Sequence, residues 1–159
     1  MRQCLLAVAV GMSSLSSLAS AQTCASAITL ARNTTYVSDT TGTTDWMSQF
    51  GPLSSGGSND MLYTFIAGAQ PLGTITPSAS SYTFAMYLIA SCSDTGIEPI
   101  PIRATATLGS PIDLASGSPP ITTGAQYWLA VTGTAAFPGN GTVNFTTSFP
   151  VTVLSFTVD

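Results

Sequence analysis

The chain has 159 residues, a formal net charge of −4, only 6% charged residues and no histidine. Three Lys plus Arg exclude the basic footprint of a nucleic-acid binder, and the lack of imidazole excludes His-dependent triads and metal sites. With 45% hydrophobic residues, and with 21 Ser and 24 Thr, the composition is that of a small, nearly uncharged globular domain rather than a charged disordered or collagen-like chain.

In chain order, the first element is an address. Arg2 supplies a positive start, residues 5–10 form a short apolar run, and Ala19-Ser20-Ala21 is a small-x-small cleavage site. A signal peptide over residues 1–21 is therefore expected, with Gln22 starting the mature chain. A membrane anchor is the alternative, but the run is short and broken by serines. Cleavage removes Arg2, leaving seven acids against Arg32 and Arg103, a charge of −5 (2 − 7). No second segment reaches spanning length, so the expected product is secreted, extracellular or periplasmic, without a membrane span. Export makes a Cys24–Cys92 disulfide the default reading, with two free thiols as the alternative.

The mature chain reads as strands and turns. Thr, Val, Ile, Tyr and Phe cluster in short runs between Gly, Pro, Ser and Asn. Strands are expected near residues 27–31, 34–38, 60–67, 72–76, 82–90, 100–107, 126–132, 142–147 and 151–158. Residues 61–66, 84–89 and 127–131 are apolar at odd and even positions alike, which marks central strands covered on both faces. Residues 142–146 alternate, so one side should meet solvent. Residues 52–60 (PLSSGGSND) read as a flexible loop, and 109–124 as a turn-rich stretch around Ile112-Asp113-Leu114. The fold class is all-β, a single antiparallel β-sandwich, jelly-roll-like, with one disulfide.

Five segments, in order, resemble the bacterial pre-peptidase C-terminal (PPC) type domain. They are Cys24-Ala25-Ser26-Ala27-Ile28, the stretch Asp39-Thr40-Thr41-Gly42-Thr43-Thr44-Asp45, the strand Asn59-Asp60-Met61-Leu62-Tyr63-Thr64-Phe65, the strand Ala125-Gln126-Tyr127-Trp128-Leu129-Ala130-Val131-Thr132-Gly133, and Gly141-Thr142-Val143-Asn144-Phe145. The resemblance implies a β-sandwich domain over 22–147; residues 148–159 lie beyond it and read, from their own nearly uncharged apolar run, as a C-terminal strand extension. It also implies an accessory, binding role outside the cytoplasm. Thr83 and Thr132 stand where relatives often carry Asp, and no second Cys follows Cys92 closely, so a calcium site carried over from calcium-binding relatives is weakened.

Asp39, Asp45, Asn59 and Asp60 form the best polar cluster. One reading is a calcium site, since that ion takes oxygen ligands from Asp, Asn and loop carbonyls. The other is turn chemistry, with each side chain bonding its own backbone. Trp46 and Phe50 sit in a polar loop with Met47. Exposed, they would make a sugar-stacking site; folded down, they would cap the core. Trp128 lies in a core-like strand and is expected to pack. Asp94, Glu98 and Asp113 lack the fixed pairing that a glycosidase needs, and no His or mature Lys can activate a serine. The asparagines at 33, 140 and 144 match the glycosylation sequon by chance in a Thr-rich chain.

The expectation is thus a non-enzyme with no cofactor, calcium being the one candidate ion. It would act as an exported module binding extracellular protein or polysaccharide. Two alternatives stand beside it: a carbohydrate-binding protein using the loop aromatics Trp46 and Phe50, and a surface subunit that self-associates through residues 148–159.

Overall fold

The computed structural model describes residues 23–68, 73–94 and 99–149. The expected signal peptide, the expected strand at 151–158 and Glu98 lie outside the described residues. Among those described there is no helix, hence none long and apolar enough to cross a membrane.

Eleven strands follow in chain order: β1 (Ile28–Thr29), β2 (Thr35–Asp39), β3 (Gln49–Phe50), β4 (Leu53–Ser54), β5 (Met61–Ile66), β6 (Thr74–Ser80), β7 (Phe84–Ile89), β8 (Pro101–Thr105), β9 (Ile112–Asp113), β10 (Gln126–Gly133) and β11 (Thr142–Ser148). Nine of them build two sheets, ordered β1-β5-β10-β7-β8 and β2-β11-β6-β9, while β3 and β4 form a separate small hairpin. All pairings are antiparallel except that of β1 with β5, which is parallel. The fold is an all-β sandwich.

The three runs apolar at both parities are the three interior strands of the larger sheet, β5, β10 and β7. Their side chains split by parity. Tyr63, Phe65, Phe84, Met86, Leu88, Leu129 and Val131 point between the sheets, where they meet Ile75, Val143 and Phe145. Leu62, Ala85, Tyr87, Ile89 and Ala130 point the other way and form a second buried cluster with Met47 and Phe50. A strand with period-two side chains can be apolar throughout only when both of its faces are covered.

Several expected elements differ. The strand placed at 72–76 is described from Thr74 and continues to Ser80, because it pairs along most of β11. The two-residue strands β3, β4 and β9 were not expected as strands; segments that short carry no readable periodicity. Residues 52–60 are not a loose loop. They include β4, and Ser55, Ser58 and Asp60 are buried. The expected domain edge at 147 falls inside β11, and Phe149 still packs on the core, its ring 5.2 Å from that of Phe65.

Cys24 and Cys92 are joined in a disulfide, with Cα atoms 5.7 Å apart. The bond closes 68 residues of sequence separation, a constraint that in the chain-entropy picture is worth about 4 kcal/mol.

Candidate functional site

Asp45, Trp46, Phe50, Asn59 and Asp60 fall in one region, a cover over the outer face of the larger sheet, while Asp39 stands just before it at the end of β2 in the smaller sheet. Residues 40–60 leave the end of β2, cross that face, turn back through β3 and β4, and enter β5. Phe50 is completely buried and stacks on Tyr87, ring centroids 4.7 Å apart. Trp46 lies beside it, 6.2 Å between centroids, and is half-buried against the same cluster. Its indole Nε1 donates to Asp94 Oδ1 at 2.9 Å, and the Cys24 backbone N–H donates to the same oxygen at 2.9 Å. Asp94 therefore ties the cover to the disulfide-bonded segment. Of the two loop aromatics, Phe50 presents no surface to a ligand, because the loop folds down and caps the sheet. Trp128, on the outer face of β10, packs against the edge of the same cluster.

The cover is held by backbone groups. Asp60 Oδ2 accepts the N–H groups of Trp46 (2.9 Å) and Met47 (2.8 Å), and the Asp60 N–H donates to the Thr44 carbonyl at 3.0 Å. Ser55 Oγ donates to the Met47 carbonyl at 3.2 Å. The Gly139 N–H donates to Ser58 Oγ at 3.1 Å, and the Asn59 N–H to Asn140 Oδ1 at 2.7 Å. The last two bonds join the foot of the cover to the connection between β10 and β11. Gly133 sits at this junction because a Cβ there would lie 2.1 Å from Ser58 Oγ.

The four polar candidates are not gathered into one cage. Asp39 Oδ1 is turned back on its own turn, accepting from the Thr41 N–H (2.9 Å) and hydroxyl (2.7 Å), and these bonds hold its pKa below the usual range. Asn59 Nδ2 donates to the Thr40 carbonyl at 3.2 Å. Asp45 is exposed, with a pKa raised by partial desolvation. Asp60 is wholly buried, and burial pushes its pKa up to about 7 despite the opposing pull of the Thr132 hydroxyl and the two amides. Asp45 is the one charge that raises it further. Among the described residues no three acidic or cysteine side chains come together as a metal-holding group. Calcium takes about six to eight oxygens, and this donor set does not fit that demand. Asp113 is likewise committed to its own turn, to the Ala115 N–H (2.8 Å) and the Ser116 hydroxyl (2.6 Å).

The outer face of the smaller sheet is built differently. The side chains of Thr35 and Val37 on β2, of Thr142, Asn144 and Thr146 on β11, and of Thr74 and Thr76 on β6 alternate with buried neighbours. The register sets Thr146 directly across from Thr35 on one side and Thr76 on the other. The Thr35 and Thr146 hydroxyls are 3.1 Å apart. Charge enters this face at two positions, Asp39 at the end of β2 and Asp113 at the end of β9. Sequence reading found the alternation in β11 but not the face, which needs β2 and β6 brought beside it from far along the chain.

Compared with models of known protein families, with curated proteins and with solved structures, the chain matches none of them.

Proposed function

We propose that the chain is an exported, non-catalytic β-sandwich module of pre-peptidase C-terminal type that binds a neutral polysaccharide through the outer face of its smaller sheet. The observation that carries this reading is the row Thr35–Thr146–Thr76 with its flanking Thr74, Thr142, Asn144 and Val37, a face of hydroxyls and methyl groups with one aspartate on each edge strand, Asp39 and Asp113. Adjacent strands stand about 4.8 Å apart, so such a row offers evenly spaced hydrogen-bonding groups without charge. A partner that is itself neutral, flat and rich in hydroxyls meets it without burying an unpaired charge. The export reading is supported by the disulfide. The non-catalytic reading is supported by the engagement of Asp39, Asp60 and Asp113 with backbone and hydroxyl donors. The loop aromatics are the weaker platform, since Phe50 is buried and Trp46 is pinned by Asp94.

Co-sedimentation of the purified, exported chain with a panel of insoluble neutral polysaccharides tests this. Pelleting with one of them, lost in Thr146→Lys and kept in Trp46→Ala, is the expected result. Pelleting with none, or pelleting that Thr146→Lys leaves unchanged, sinks the proposal and returns attention to protein partners.

A further inference from the structure

The one deeply buried acid among the described aspartates stands where the cover meets the sandwich. Asp60 has no exposed surface, immediately precedes β5, and binds the cover at Trp46 and Met47 through a single oxygen, Oδ2. Its other oxygen, Oδ1, has no hydrogen-bond partner by distance and angle among the described residues. Beside it the Thr132 hydroxyl of β10, also buried and without another partner among the described residues, interacts with the carboxyl and lowers its pKa. The remaining ionisable neighbours are Asp45 on the cover, whose charge opposes ionisation of Asp60, and Tyr82 and Tyr87, whose phenols sense the Asp60 charge. Among the described residues no cation acts on it.

We infer that Asp60 is a protonation latch, closing residues 44–60 over the larger sheet when its carboxyl is protonated and letting them lift when it is ionised. In the protonated form Oδ1–H donates to the Thr132 hydroxyl while Oδ2 still accepts both amides, so the contacts are kept and no charge is buried. In the ionised form a full charge lies out of water beside Asp45, compensated only by neutral donors. Lifting the cover hydrates that charge, and it uncovers Phe50 and Tyr87, so the latch controls exposure of an apolar sheet face.

The direction follows from linkage. The closed-state pKa of about 7 lies above the ordinary carboxylate value of 3.8 expected once the group is solvated. Closure is therefore fully favoured below about pH 4 and weakens as pH rises through 7. Between those limits opening eases roughly tenfold per pH unit, then levels off. The inference stands apart from the polysaccharide reading, which concerns the other sheet.

Amide hydrogen exchange of Trp46 and Met47, corrected for the intrinsic rate, reads the latch directly. In the unaltered chain, protection should fall at least tenfold between pH 5 and pH 8, while amides of β7 and β10 hold theirs. Asp60→Asn is neutral, accepts both amides and donates to Thr132, so its protection should stay level over the same range. Asp45→Asn should retain the fall and displace its midpoint downward, since burial outweighs the Asp45 charge. A carboxyl-carbon NMR titration of the unaltered chain gives an answer even if a variant does not fold. Asp60 should titrate near neutrality, well separated from Asp39 and Asp113. Titration of Asp60 together with those two, or an equal pH response in the unaltered chain and Asp60→Asn, overturns the inference.

Discussion

Both sheets of the sandwich contribute to one inner core, but their outer faces are finished in different ways. The larger sheet carries Leu62, Ala85, Tyr87, Ile89 and Ala130 outward and needs a cover, which residues 40–60 supply. The smaller sheet carries Thr35, Thr142, Asn144, Thr146, Thr74 and Thr76 outward and needs none. An apolar outward face gains from burial at about 25 cal/mol per Å², whereas a Thr and Asn face already satisfies its polar groups in water. One chain therefore uses its longest early connection as structure on one side and, among the described residues, places no such cover on the other.

The comparison is broken most strongly at Phe50. It is fully buried, stacks on Tyr87 and belongs to the cover alone. Phe50→Ala removes a large side chain from a closed site, and truncations of that kind are worth about 3–5 kcal/mol. Urea unfolding should show that loss, and the amides of Trp46 and Met47 should lose protection with it. A loss under about 1 kcal/mol would mean that the cover rests on the sheet without stabilising it.

A smaller effect is expected at Asp94, which joins the cover to the N-terminal segment through two bonds to one oxygen. Asp94→Ala removes an acceptor from the Trp46 indole and from the Cys24 amide. Hydrogen bonds to a carboxylate are individually worth about 1.5–3 kcal/mol, and solvent competition at this exposed site brings the pair down to about 1 kcal/mol. The reporter is Trp46 fluorescence: iodide should quench it more strongly in Asp94→Ala, and quenching equal to that of the unaltered chain would show that packing alone holds the indole.

How far these features are legible in sequence depends on how local their causes are. The centrality of β5, β7 and β10 is local, because apolar residues at both parities require two covered faces, whatever the cover is. The identity of the cover is not local. Trp46, Met47 and Phe50 stand in a polar stretch that reads equally well as an exposed binding loop, and only contact with Tyr87 and Leu62 decides between the two. Asp60 was visible as part of a polar cluster, and either a cation site or turn chemistry suited its spacing. Its burial depends on Thr132, 72 positions away in sequence (132 − 60), and on the fold-back of residues 46 and 47. The two-residue strands β3, β4 and β9 leave no periodic trace, while Gly133 shows its purpose only when Ser58 is beside it. The smaller sheet shows the same limit. Alternation in β11 announces one wet face, but the row of threonines exists only after β2 and β6 flank it.

The smallest expected effect lies on that open face and sharpens the contrast with Phe50. Thr146→Val keeps the shape and β-branching of the side chain and removes a hydroxyl that pairs with Thr35 at 3.1 Å in reach of water. Because the Thr35 hydroxyl can bond to water instead, no buried polar group is orphaned, and β propensity is preserved. The change in unfolding free energy should stay within about 0.5 kcal/mol. Binding should respond where folding does not: if the Thr35–Thr146–Thr76 row meets the partner, the same substitution weakens retention on the polysaccharide that the unaltered chain selects. Loss of stability well beyond that limit would instead make the row a structural ladder, and the open face would then need its hydroxyls for the fold as much as the larger sheet needs its cover.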